Sequence, residues 1–171
     1  MDEMILVDLA DRQIGTMEKA EAHRLGRLHR AFSVFLISGD RMLIQRRCKT
    51  KYHSGGLWAN ACCSHPRNGE TLAEAVPRRL QEELGISCGV KELFDFVYYS
   101  KYAEDLYEYE YDHVFLGTCD GPFSPDPEEI EALEWVTFSE LEERLLSTPE
   151  AFCSWFRIAA PKVLQLLRKD G

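Results

Sequence analysis

The stretch Glu70-Thr71-Leu72-Ala73-Glu74-Ala75-Val76-Pro77-Arg78-Arg79-Leu80-Gln81-Glu82-Glu83-Leu84-Gly85-Ile86 carries the clearest structural signal in the chain. Thr71 and Glu74 stand at capping-box spacing, Leu72, Val76, Leu80 and Leu84 recur every four residues, and Gly85 is placed to stop a helix. The spacing predicts a helix over 71–84, distorted at Pro77, which lies too far in for a first-turn proline. Glu83 follows Val76 by seven residues and shares its face, so its carboxylate turns inward and wants a cation. A plainer reading makes Arg78 with Glu82 and Arg79 with Glu83 ordinary i,i+4 ion pairs on a solvated face.

Outward from this helix the chain reads β-rich on its N-terminal side. Residues 5–8 form a short apolar strand, and residues 31–38 and 42–46 flank Gly39-Asp40 as a hairpin. Another strand is expected over 57–63. On the C-terminal side, strands over 92–101 and 107–119 are separated by the acidic turn Ala103-Glu104-Asp105, and a Pro- and Asp-rich loop over 120–129 leads to a last strand over 132–138. Ser139 with Glu142 caps a helix to Leu146, and Thr148-Pro149 opens a final helix whose stripe runs through Phe152, Phe156, Ala159, Val163 and Leu166, bent at Pro161. The fold class expected is α/β (α+β), a mixed sheet sandwiched between helices in one domain over 1–171.

Composition supports that picture. At 171 residues with 45% hydrophobic and 11% aromatic residues, the chain can fill one core, and disorder and coiled coil are disfavoured. No apolar run is long enough to span a membrane, and Met1-Asp2-Glu3 lacks the basic start of a secretory signal, which predicts a soluble, cytoplasmic protein. The net charge of −9 argues against nucleic acid and anionic lipid as partners. Between Asp40 and Glu70, however, there is no acidic residue, while Arg41, Arg46, Arg47, Lys49, Lys51 and Arg67 are all present, which marks a place for an anion. The six cysteines are too irregular for a disulfide framework and contain no Cys-x-x-Cys pair, so they read as reduced thiols.

The pattern Glu70, Arg78, Leu80, Glu82-Glu83-x-Gly85-Ile86 resembles the Nudix motif. Two positions depart from it: Ser64 replaces the opening glycine, and Arg79 replaces a carboxylate that holds the hydrolytic metal in Nudix hydrolases. The departure suggests a Nudix fold with another chemistry. Glu108 and Glu110 are two apart on an expected strand and can reach a single ion from one face. With the imidazoles of His23, His29 and His65 they make a five-ligand set for a borderline divalent ion, Mn2+ or Zn2+.

The ordered set Lys19, His23, His29, Asn60-x-x-Cys63-x-His65-Pro66, the altered Nudix helix, Tyr98, Glu108-x-Glu110 and Trp155 resembles the type 1 isopentenyl-diphosphate isomerases, over nearly the whole chain. The resemblance implies an enzyme that interconverts isopentenyl and dimethylallyl diphosphate through a tertiary carbocation. It makes Cys63 and Glu110 the two proton-transfer groups, with Tyr98 assisting Glu110 and the Trp155 ring facing the cation. It further implies a metal at His23, His29, His65, Glu108 and Glu110, a Mg2+ shared by Glu83 and the substrate, and diphosphate contacts from Lys19, Arg47, Lys51 and Arg79. The only partner implied is a small prenyl diphosphate, for a monomer or weak homodimer. A Nudix hydrolase of a nucleoside diphosphate derivative is the second reading, and a catalytically silent metal- or diphosphate-binding module the third. His53 and His113 receive no role, and Cys62 is read as packing.

Overall fold

A computed structural model describes residues 2–170. In chain order the elements are β1 (Glu3–Val7), β2 (Gln13–Glu18), α1 (Lys19–Leu25), β3 (His29–Ser38), β4 (Arg41–Arg47), β5 (Trp58–Asn60), β6 (Cys62–Ser64), α2 (Leu72–Leu84), β7 (Val90–Ala103), β8 (Leu106–Thr118), β9 (Ile130–Thr137), α3 (Phe138–Ser147), a short 3-10 turn (Pro149–Ala151) and α4 (Ser154–Lys169). The strands join in one mixed sheet organised around β3. One edge of β3 runs parallel to β8, from His29 opposite Glu110 to Ile37 opposite Thr118. Its other edge is shared end to end by β1 at His29, β6 over Phe32 to Val34, and β4 over Leu36 to Ser38. β7 pairs with the far edge of β8, and β9 with the far edge of β4.

The two-residue period of β3 fills a layer on each face. Phe32, Val34 and Leu36 pack with Val76, Leu80 and Leu84 of α2, whereas Phe35 packs with Met42, Ile44 and the α4 residues Phe156, Ala159 and Val163. The Phe35 and Phe156 rings stack at 5.8 Å. Each of the larger side chains here, fully buried, contributes about 1.5–3 kcal/mol. The expected sandwich of a mixed sheet between helices is therefore what forms.

The capping box of α2 is present: the Thr71 hydroxyl accepts from the Glu74 N–H, and the Glu74 carboxylate accepts from the Thr71 N–H at 2.8 Å. Gly85 closes the helix at φ 66°, in the left-handed region that favours glycine. The helix runs continuously across Pro77.

Three expectations need correction. The strand over 57–63 is two strands, because the chain leaves the edge of β4 after Asn60 and joins the edge of β3 at Cys62, with the Ala61 carbonyl held by Gln45 Nε2 at 2.7 Å. The cap of α3 is Thr137, which accepts from the Glu140 N–H at 3.2 Å, and not Ser139. Pro149 opens only the 3-10 turn. Phe152 bridges to Trp58 outside any helix and still reaches the core, and α4 begins at Ser154. β2 and α1 are further elements between β1 and β3; Glu18 caps α1 by accepting from the Ala20 and Glu21 N–H groups. No helix among the described residues is long and apolar enough to cross a membrane.

Candidate functional site

Every residue singled out from the sequence as catalytic, metal-binding or diphosphate-binding borders one cavity of about 150 Å³, except His29, which is fully buried. Elements far apart in sequence converge on it: α1 brings Lys19 and His23, the β4–β5 loop brings Lys51, β6 brings Cys63, α2 brings Arg79 and Glu83, the β7–β8 pair brings Tyr98, Glu108 and Glu110, and α4 brings Trp155.

Alternation along β8 sends Glu108, Glu110 and Asp112 to one face of the sheet. Glu108 Oε1 lies 3.1 Å from His23 Nε2 and 2.8 Å from His53 Nε2. His29 Nδ1 donates to the Arg27 carbonyl at 2.9 Å, which leaves Nε2 facing Glu110 Oε2 at 3.2 Å and Glu108 Oε2 at 3.9 Å. Donor atoms of His23, His29 and Glu108 all lie within 4.8 Å of one another. Glu108 Oε2 is buried without a hydrogen-bond partner, as is Glu83 Oε2 on the α2 side of the cavity. The orphaned Glu108 oxygen, clustered with nitrogens of His23 and His29, fits a divalent cation.

The electrostatics agree with that donor set. Burial alone would raise the Glu108 carboxyl, but hydrogen bonds from His23 and His53 and the charges of His23 and His29 hold it well below the usual carboxylate range. Burial and the charge of Glu108 push Glu110 up. Burial, then the charges of His29 and Lys19, drive His65 well below the ordinary imidazole range, so its ring is neutral and carries a free lone pair. Asp112, pushed well up by burial and the charge of Glu110, takes the Ser33 hydroxyl at 2.8 Å.

Asn60 organises the other wall. Its Oδ1 accepts from Cys63 Sγ at 3.1 Å and from Trp155 Nε1 at 3.1 Å, while its Nδ2 donates to the Val34 carbonyl at 3.2 Å and the Cys62 carbonyl at 2.8 Å. Trp155 Nε1 is also 3.2 Å from Cys63 Sγ, and Tyr98 donates its hydroxyl proton to Glu110. Asn60→Ala strips two backbone carbonyls, an indole N–H and the Cys63 thiol of this partner. At about 1–3 kcal/mol per unsatisfied buried group, it should cost at least about 3 kcal/mol, read as a lower urea midpoint at unchanged slope.

Burial pushes the Cys63 thiol well up, against the opposing charge of Arg47, so it stays protonated above the ordinary thiol range. At Cys48 hydrogen bonds from Thr50 act the other way and lower the pKa. Because the thiolate is the nucleophile, iodoacetamide at mildly alkaline pH should label Cys48 well before Cys63 when the adducts are mapped by mass spectrometry. Faster labelling of Cys63 would show that its thiol ionises readily.

Two of the four basic groups, Arg79 and Lys51, hold acidic neighbours. Arg79 pairs with Glu83, with Glu82 at 2.7 Å and with Glu129 at 3.7 Å, and Lys51 pairs with Glu129. The Arg47 guanidinium lies 5.2 Å from the Trp155 ring centre. Lys19 has a lowered pKa, from burial and the charge of Lys51. Arg78 bonds back to Glu70 at 2.6 and 2.9 Å, so the i,i+4 reading of this helix accounts for only part of its pairing. Glu83 is itself buried.

Four participants escaped the sequence reading. Tyr52 lies 2.7 Å from His23 Nδ1, His53 touches Glu108, Glu129 borders the cavity beside Lys51, and Asp112 continues the β8 carboxylate row. The period-two spacing from Glu108 and Glu110 could have found Asp112. His113 lies on the opposite face, between Glu92 and Asp11, outside the cavity.

The NUDIX domain family model matches residues 27–156, and the fold agrees: the DR0079 protein of Deinococcus radiodurans superposes at a TM-score of 0.78 with 22% identity, covering 94% of this chain and 98% of that one. A MutT NUDIX hydrolase from Burkholderia pseudomallei superposes at 0.63 with 21% identity, over 77% of this chain and 95% of its own. Two curated relatives are much nearer in sequence. Isopentenyl-diphosphate Delta-isomerase 2 of Aromatoleum aromaticum is 43% identical over 99% of this chain and 90% of its own length, and isopentenyl-diphosphate Delta-isomerase of Burkholderia multivorans is 46% identical over 91% and 89%. Within the Nudix fold, the chain belongs to the isopentenyl-diphosphate Delta-isomerase family.

Proposed function

We propose that this protein is a metal-dependent isomerase that interconverts isopentenyl diphosphate and dimethylallyl diphosphate, serving isoprenoid biosynthesis in the cytoplasm as a single domain, either monomeric or weakly dimeric. The observation that carries the reading is geometric: the Cys63 thiol, beside the Trp155 indole, and the Glu110 carboxyl, beside the Tyr98 hydroxyl, border one cavity. Isomerisation requires a proton added to the alkene and another removed from the neighbouring carbon. Cys63 and Glu110 are the two groups that exchange these protons, and each acts as acid in one direction and base in the other. The Tyr98 hydroxyl holds Glu110 in place.

Trp155, fixed through its indole N–H, presents its ring to the charge that develops on the substrate. In a desolvated pocket such cation–π attraction reaches about 2 kcal/mol, about thirty-fold in rate when it acts only in the transition state. Lys19, Arg47, Lys51 and Arg79 hold the diphosphate, so the stretch without acidic residues supplies two of its four cations. His23, His29, His65, Glu108 and Glu110 would hold Mn2+ or Zn2+, and Glu83 would share a Mg2+ with the diphosphate. Positive charge held by these residues would offset the diphosphate's negative charge, which a −9 protein would otherwise repel.

Proton NMR of isopentenyl diphosphate with protein and Mg2+ in heavy water, with released phosphate assayed in the same tube, tests the reading. Deuterated dimethylallyl diphosphate without phosphate is the expected result. Unchanged substrate with folded, metal-loaded protein would reject it, and released phosphate would point to hydrolysis.

A further inference from the structure

We propose that Tyr52 and His53, adjacent in the β4–β5 loop, are positioning residues of the metal centre: His53 turns Glu108 so that its free oxygen faces the ion, and Tyr52 sets the ring of His23. The inference rests on reading His23, His29 and Glu108 as metal ligands.

His53 is buried and its Nε2 lies 2.8 Å from Glu108 Oε1, while Nδ1 lies 3.0 Å from the Ser54 hydroxyl. An ionised carboxylate can only accept, so Nε2 carries the proton and Nδ1 takes the hydroxyl hydrogen of Ser54. That bond engages Oε1 and leaves Oε2, the oxygen with no partner, on the side of His29. The donor atoms that cluster within 4.8 Å are those of His23, His29 and Glu108, and His53 is not among them. It acts through Glu108.

The ring has no freedom to do otherwise. It stacks on Tyr102 with centres 4.4 Å apart and planes 8° from parallel, and meets Trp155 edge-on at 6.2 Å and Tyr52 edge-on at 4.7 Å. The loop behind it is equally constrained: Gly56 donates to the Arg47 carbonyl at 2.9 Å, and a Cβ on Gly55 would lie 2.7 Å from the Lys49 carbonyl oxygen. One residue earlier, the Tyr52 hydroxyl lies 2.7 Å from His23 Nδ1 and fixes the rotation of a ring whose Nε2 is 3.1 Å from Glu108. Outer partners of this kind typically change metal affinity 10- to 100-fold when removed.

The test is the dissociation constant of Mn2+, read by electron spin resonance of the free ion without substrate, for the wild type, His53→Ala, His53→Gln and Tyr52→Phe. His53→Ala should weaken binding about 10- to 100-fold, and His53→Gln, which keeps an N–H donor, should recover most of it. Tyr52→Phe should weaken binding by a smaller factor. The melting temperature of the metal-free protein should be unchanged in His53→Gln. Spin-echo counting of coordinated histidine nitrogens should give the same number in wild type and His53→Ala. Unchanged Mn2+ affinity in His53→Ala would overturn the proposal, and the loss of one coordinated nitrogen would make His53 a ligand instead. A wild type that binds no divalent ion would overturn it together with the metal reading. If the wild type binds Mn2+ but does not isomerise, a drop in affinity in His53→Ala still upholds the positioning role while the isomerase reading falls.

Discussion

Cys63→Ala is expected to lower isomerisation by about 10²- to 10⁴-fold, the span that positioned proton-transfer groups contribute, and to leave bound metal unchanged. The separation of the two readouts follows from the geometry. Cys63, on β6, bonds to Asn60 of β5 and Trp155 of α4, and its sulfur is not among the clustered donor atoms of His23, His29 and Glu108. Its loss removes a sulfur from the cavity wall and leaves the Asn60 bonds to the backbone and to Trp155 in place. Turnover by NMR and metal by elemental analysis, on one preparation, decide the matter. Full turnover without the thiol would remove Cys63 from the chemistry.

Glu110→Gln is expected to reduce turnover by a comparable about 10²- to 10⁴-fold, and here metal affinity should fall as well. The carboxylate has two tasks on one side chain, a proton to exchange and an oxygen facing His29 at 3.2 Å. Stability should move the opposite way. Burial and the charge of Glu108 raise the Glu110 carboxyl, so its ionised form costs stability that grows as pH rises through the ordinary carboxylate range. A neutral amide removes that cost, and the metal-free variant should melt higher than metal-free wild type at neutral pH. Lost activity with gained stability marks a group held for function, and a lower melting temperature would contradict the electrostatic picture.

The legibility of this protein in its sequence followed the range of the interactions. The helix over 71–84 was readable because its cap, its apolar repeat and its terminal glycine are local, and the β3–β4 hairpin because two apolar runs flank one short turn. The break between β5 and β6 was not, since the change of neighbour at Ala61 leaves no mark on an apolar run. Thr137 and Ser139 are equally plausible caps until strand β9 is seen to end at Thr137. At the site, Cys63, His65, Glu108 and Glu110 stood out through ordered spacing that resembled a family. Tyr52 and His53 lacked such spacing, and their meaning comes from His23, 29 residues earlier, and Glu108, 55 residues later.

The central position of β3 sets the order in which this molecule can be assembled. Cys63 hangs from one edge of that strand through β6 and Glu110 from the other through β8, the latter in a parallel pairing that joins residues 81 apart. Closing a loop of that length costs more entropy than closing a local hairpin, and that entropy must be met before the contacts it brings can form. The local hairpins alone contain neither the cavity nor the cluster of donors, and a nascent chain still lacking β8 has no site to fill. The catalytic apparatus emerges as a property of the finished sheet.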